Sequence, residues 1–93
     1  MNLFAVIYTM VDVESSNRHR PEHVEFLRGL LRAGRIECGW KFPDYAPGEI
    51  QGVLFCRAET AEEVAGWFAE DPVIKAGART FTVKAAQGMT VTA

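Results

Sequence analysis

The run NLFAVIYTM, residues 2 to 10, most constrains what this chain can fold into. It is apolar and rich in β-formers, and it falls well short of the roughly 20 residues that a membrane span needs, so it reads as a buried strand. A buried strand has to be covered by other elements of the same fold, and the rest of the chain supplies them in a definite order.

VDVESSNRHR reads as a polar connection. Pro21 suits the first turn of a helix, which therefore starts near Arg20 to Glu22, and the helix ends at Gly34, placed as an αL cap after LLRA. RIECGWKF alternates as a strand, and PDYAPGEIQG, with two prolines and two glycines, is a loop. GVLFCRA is a second buried strand. Thr60 and Glu63 have the spacing of a capping box, which begins a second helix that runs through about Glu70. Asp71-Pro72 stops it, because the residue before a proline is pushed out of the α region. ARTFTVKA is the last strand, and AQGMTVTA carries no assignment. The order is β α β β α β, predicting an α+β, ferredoxin-like fold: a four-stranded antiparallel sheet with two helices on one face. If the short strand at 35 to 42 is irregular, the sheet has three strands instead.

Ninety-three residues bound the chain to a single domain over 1–93, with a modest core. The 48% apolar content suggests that the second face of the sheet is covered too, and two such sheets packed face to face make a homodimer. A formal net charge of -2 argues against an electrostatic grip on nucleic acid. The charges are divided, with Arg18, Arg20, Arg28, Arg32 and Arg35 early and Glu59, Glu62, Glu63, Glu70 and Asp71 late, which fits two solvated helix faces of opposite sign. No run is long enough to span a membrane, and the start lacks the features of a signal peptide, so a cytoplasmic protein is expected. Cys38 and Cys56 stand apart and fit reduced thiols of the core. His19 and His23 have a zinc-compatible spacing, but Pro21 between them argues against an unbroken helix and no third ligand is evident. No glycine fingerprint for a dinucleotide occurs, and the expectation is no cofactor and no metal.

The candidate chemistry lies with one histidine. Read at about 100° per residue, Phe26, Leu30, Leu27, Leu31 and Val24 fill one arc of the first helix, and His23 falls in the middle of it. In this topology the two helices run antiparallel, so the start of the first lies near the end of the second. Val64, Phe68 and Asp71 follow at i, i+4 and i+7, which turns Asp71 to the buried side. Two ionisable groups that each interrupt an apolar face thus converge. A carboxylate on one imidazole nitrogen fixes the tautomer and leaves the other nitrogen as a base, or as an acid once protonated. The same residues also fit a buried polar pair that satisfies itself, with Asp71 capping the turn that begins at Pro72. Lys75 and Arg79 stand close enough in sequence to bind an anion near the pair, but read as solvated loop bases. Tyr45, in the long loop, is placed to cover a pocket, and that loop is the segment expected to move. Trp40, Trp67 and the phenylalanines read as core or interface.

RPEHVEFLRGLLRAGRIECGW followed by AEDPVIKAGARTFTVK resembles the YciI-like (YCII-related domain) family, over about residues 4 to 85. The more specific part is DPVIKAG with its helix. The resemblance implies the fold of muconolactone isomerase and the other dimeric α+β barrels, a homodimer packed through its sheet faces, and a candidate active site of a His-Asp pair that falls on His23 and Asp71. It further implies that a related branch eliminates chloride from a chlorinated hydroquinone. Where members often have a glycine-rich G-P after the second strand, this chain reads CGWKFPDYAPG, so the pocket wall differs.

The first functional expectation is a cofactor-free enzyme of small cyclic or carbonyl compounds, in which His23 moves a proton and Asp71 orients it, giving isomerisation or elimination. The others are a non-catalytic small-molecule-binding or accessory module, a structural dimer with a buried pair, and a monooxygenase of similar fold.

Overall fold

The computed structural model describes residues 1–91. The elements are β1 (Asn2–Met10), α1 (Val13–Arg18), α2 (Arg20–Arg32), β2 (Ile36–Lys41), β3 (Ile50–Ala58), α3 (Ala61–Phe68), α4 (Pro72–Lys75) and β4 (Arg79–Ala86). The strands form one antiparallel sheet in the order β2-β3-β1-β4, with the helices packed on one face, which is the expected ferredoxin-like α+β arrangement. The short second strand has an irregular register between Ile36 and Cys38 but is paired with β3, so the sheet has four strands. No helix among the described residues is long and apolar enough to cross a membrane.

Alternation along β1 sends Phe4, Val6, Tyr8 and Met10 under the helices, where all are buried. Val64 and Phe68 of α3 and Leu30 of α2 close over them. The opposite face carries Ile7, Val53 and Phe55, which are half-buried, and Trp40, which is 61% exposed and meets Phe55 edge-on.

Local chemistry explains most boundaries. Thr60 Oγ1 accepts a hydrogen bond from the Glu63 N–H at 3.2 Å and starts α3. Gly34 adopts φ 74°, with its N–H on the Leu31 carbonyl and the Arg35 N–H on the Leu30 carbonyl, so α2 ends in a Schellman motif. Gly77, at φ 72°, ends α4 in the same way.

Several expectations need correction. The connection after β1 contains the six-residue helix α1, capped by Asp12, whose side chain accepts from the Ser15 N–H at 3.1 Å. The second main helix stops at Phe68 rather than near Glu70, and Asp71-Pro72 opens the short helix α4 instead of a loop. Cys56 belongs to the core, but Cys38 is exposed because β2 is an edge strand with little cover. Leu31 is 58% exposed, since the buried arc of α2 centres on His23 and Leu30 and leaves Leu31 at its margin. The early arginines are not all simply solvated: Arg35 lies over the Trp67 ring at 4.7 Å.

Candidate active site

His23 occupies the first turn of α2. His19 closes α1 and precedes α2, so the two histidines do not share one uninterrupted helix. The His19 ring is held on the Ser15 carbonyl at 2.9 Å, away from the His23 site. His23 instead points inward with only 7% exposure, toward the end of α3.

Asp71 meets it there. Its carboxylate is fully buried, and its placement comes from backbone geometry rather than from a continuation of α3. Extended at φ -62°, ψ 128°, Asp71 is the N-cap of α4, and its Oδ1 accepts from the Val73 N–H at 3.1 Å. His23 Nδ1 lies 2.8 Å from Oδ2 and 3.0 Å from Oδ1. The Tyr8 hydroxyl, rising from the middle of β1, donates to Oδ2 at 2.5 Å. Donors from β1, α2 and α4 thus converge on one acceptor, an arrangement suited to an ionised carboxylate. With Nδ1 donating to Asp71, Nε2 is the nitrogen that carries the lone pair, and the N–H it accepts from is that of Arg79 Nη1.

On the Nε2 side stands Arg79, the first residue of β4. Its Nη1 is 3.4 Å from His23 Nε2 and donates to Gln51 Oε1 at 3.1 Å, while Nε donates to Ser16 Oγ at 2.9 Å. The guanidinium also lies 5.5 Å from the centre of the Tyr8 ring. Burial, the nearby Asp71 charge and the hydrogen bond to Asp71 push the Tyr8 phenol well above the usual tyrosine range. Burial pulls the Arg79 guanidinium down from its ordinary value.

The cluster opens into a cavity of about 390 Å³, lined on the cluster side by Tyr8, His23 and Arg79 and on the other by Lys41, Phe42 and Tyr45. This volume suits a small ring compound. Tyr45 contributes to the wall as expected, and Lys41, Phe42 and Pro43 join it in the part of the wall where this chain departs from the glycine-rich pattern. No group of three or more His, Cys, Asp or Glu side chains is placed to hold a metal ion among the described residues.

The structure therefore brings His23 and Asp71 together. It also adds Tyr8, which sequence reasoning missed, and corrects the reading of Arg79 as a solvated loop base: Arg79 is buried at the head of β4, beside the pair. Tyr8 looked like any core aromatic in an apolar strand, and its hydroxyl carried no pattern of its own. Arg79 had a readable signal: it shares strand parity with Phe81 and Val83, so alternation puts it on their face, under the helices. Lys75, by contrast, is exposed and pairs with Glu70 at 3.3 Å.

The family of YCII-related domains matches residues 1–86. No curated protein matches the chain. Among solved structures, the chain is similar to 5-chloro-2-hydroxyhydroquinone dehydrochlorinase (TftG) from Burkholderia phenoliruptrix AC1100, in complex with 2,5-dihydroxybenzoquinone. The TM-score is 0.74 at 19% identity, covering 91% of this chain and 93% of the other, which is a likeness of fold.

Proposed function

This chain belongs to the YCII-related domain family, and we propose that it is a cofactor-free enzyme that moves a proton on a small cyclic or carbonyl compound, with His23 as the acid-base group and Asp71 as its positioning partner. One observation carries the reading: Asp71 holds Nδ1 of the imidazole while Nε2 is turned to the cavity side beside Arg79. The likeness to a dehydrochlorinase is compatible with such chemistry.

In this reading His23 Nε2 takes a proton from an acidic C–H or O–H of the substrate, and the electron pair stays on the substrate as an enolate or phenolate. In an isomerisation the imidazolium returns the proton to a different carbon. In an elimination the pair forms a new π bond and the leaving group departs with its own bonding pair. The Asp71 carboxylate stabilises the imidazolium in between, and general acid-base catalysis of this kind supplies on the order of 10² to 10⁴ in rate.

The test is hydrogen exchange and turnover over a panel of enolisable cyclic ketones, lactones and hydroquinones, followed by NMR in deuterated water. Wild type is expected to exchange or convert at least one of them. His23→Ala and Asp71→Asn should lose that activity and keep the far-ultraviolet circular dichroism of wild type. Undiminished turnover in folded His23→Ala would remove the proposal.

A second reading has its own support. Asp71 is fully buried, caps α4 and satisfies three donors, as a purely structural pair would. A non-catalytic ligand-binding module of this kind would bind panel compounds and return them unchanged. In either case we propose a homodimer joined through the open sheet face, where Ile7, Val53, Phe55 and Trp40 form an apolar surface, and a cytoplasmic setting, in keeping with the free thiols of Cys38 and Cys56.

A further inference from the structure

Arg79 presents a charge problem that the His-Asp pair does not solve. It is 6% exposed, yet no carboxylate of the described residues lies within ion-pair distance of it. Its hydrogen bonds run to Ser16 Oγ, Gln51 Oε1 and His23 Nε2, none of them a carboxylate. No acceptor among the described residues is bonded to Nη2. Asp71 is the nearby acid, but its oxygens are engaged by His23, Tyr8 and Val73, and the imidazole bonds to it on one side and faces Arg79 on the other. A buried cation without a direct counter-charge is costly, and the cost is relieved when an anion pairs with it.

The cavity wall has the same bias. Arg20, Lys41 and Arg79 all line it, and no aspartate or glutamate among the described residues does. Gln51 and Ser16 hold the guanidinium in place, so its planar fork is oriented before any ligand arrives.

We propose that this cavity is an oxyanion site, and that the molecule on which His23 acts carries a carboxylate or an ionised enol or phenol oxygen that pairs with Arg79. The substrate class rests on the proton-transfer reading above; the anion site itself does not. Because Arg79 Nη1 stands 3.4 Å from His23 Nε2, an oxygen held by the guanidinium puts neighbouring atoms of the same small molecule within reach of the base. Where the bound oxygen is part of the reacting system, the charge left on it after proton removal is stabilised by the same guanidinium.

The experiment is an NMR titration of the wild-type protein with benzoate, 4-nitrophenolate and the neutral benzamide, at a pH where both acids are ionised. It follows the Arg79 side-chain N–H and His23 ring signals, and is repeated on Arg79→Gln and His23→Asn. At least one anion is expected to bind about tenfold or more tightly than benzamide, as befits a charge-assisted hydrogen bond. Which anion wins tells a carboxylate from a phenolate partner. Arg79→Gln should lose that preference and keep benzamide binding within about twofold, while His23→Asn should retain it. Equal binding of benzamide and both anions, no binding of either anion at millimolar concentration, or an unchanged preference in folded Arg79→Gln would each overturn the site. If Arg79→Gln does not fold, the wild-type comparison of the anions with benzamide decides.

The two proposals fail separately. Arg79-dependent anion binding without any exchange of substrate protons leaves the oxyanion site standing and removes the enzyme. Proton exchange on neutral compounds with no preference for anions does the reverse.

Discussion

At the scale of single residues, the site is organised around the burial of one carboxylate. Asp71 has three donors, and removing one leaves the carboxylate short in a place that water does not reach. Tyr8→Phe is therefore expected to destabilise the fold by about 1–3 kcal/mol, read from the midpoint of urea unfolding. A midpoint equal to wild type would mean that the Tyr8 hydroxyl is not bonded to Asp71. The raised pKa values of Tyr8 and Cys56 have a consequence of definite sign. Burial pushes the Cys56 thiol up to about 11, and Tyr8 is displaced upward past its ordinary value. In the unfolded chain these groups release their protons near roughly 8.5 and 10, so between those values and the native ones the unfolded state binds fewer protons. Stability is fully present below the unfolded values and is lost as pH rises through about 9 to 11. Urea midpoints measured at neutral and alkaline pH should fall accordingly, and a flat profile would contradict the burial of both groups. In the native protein a thiol reagent is expected to label exposed Cys38 quickly and Cys56 only on unfolding.

At the scale of elements, short-range devices deliver long-range contacts. The segment DPVIKAGAR is one such device: Asp71 caps the start of α4, Gly77 closes its end, and the chain enters β4 at Arg79. Asp71 and Arg79 are thus both set by one tight turn of backbone. Helix α1 does the same for Ser16, which it holds under the Arg79 guanidinium. Two substitutions separate local from tertiary effects. Thr60→Ala removes the cap of α3 on the surface and should cost about 1 kcal/mol, leaving ligand binding unchanged. Gly52→Ala acts differently, because a Cβ there would come 2.8 Å from the Trp40 carbonyl oxygen on the paired strand β2. Backbone has to yield, so a loss of about 1–3 kcal/mol is expected, together with weaker ligand binding, since Gly52 and Lys41 both line the cavity. Thermal unfolding of the two variants checks the first quantity and the benzoate titration the second; a Gly52→Ala protein as stable as wild type would show that the β2-β3 pairing gives way easily.

At the scale of the whole molecule, the sheet divides two tasks. One face packs beneath the helices and carries Tyr8 and Arg79 into the site, while the other presents Ile7, Val53, Phe55 and Trp40. Apolar surface of this kind is stabilised by being covered, and a second copy of the sheet fits the requirement. Sedimentation should give a dimer for wild type. Trp40→Lys, a change at a side chain 61% exposed in the single chain, should shift the protein toward monomer without unfolding it. A monomeric wild type at micromolar concentration would end the dimer proposal.

The order of the four strands and the two main helices, the helix ends at Gly34 and Thr60, and the approach of His23 to Asp71 were legible in the sequence, because period, caps and antiparallel topology are local or combinatorial properties of it. Even there the detail differed: Asp71 is buried as the cap of α4, not as the last turn of α3. The tertiary structure alone decided that the Tyr8 hydroxyl reaches Asp71 and that Arg79 loses its solvent without gaining a carboxylate. It also decided that Cys38 lies on a bare edge and Leu31 on the margin of its helix. Those outcomes depend on what packs against a residue from parts of the chain far away in sequence. A polar tip on an otherwise apolar residue, or a cation at the head of a strand, has its partner chosen by the register of the sheet and the closing of helices over it, which no local pattern encodes.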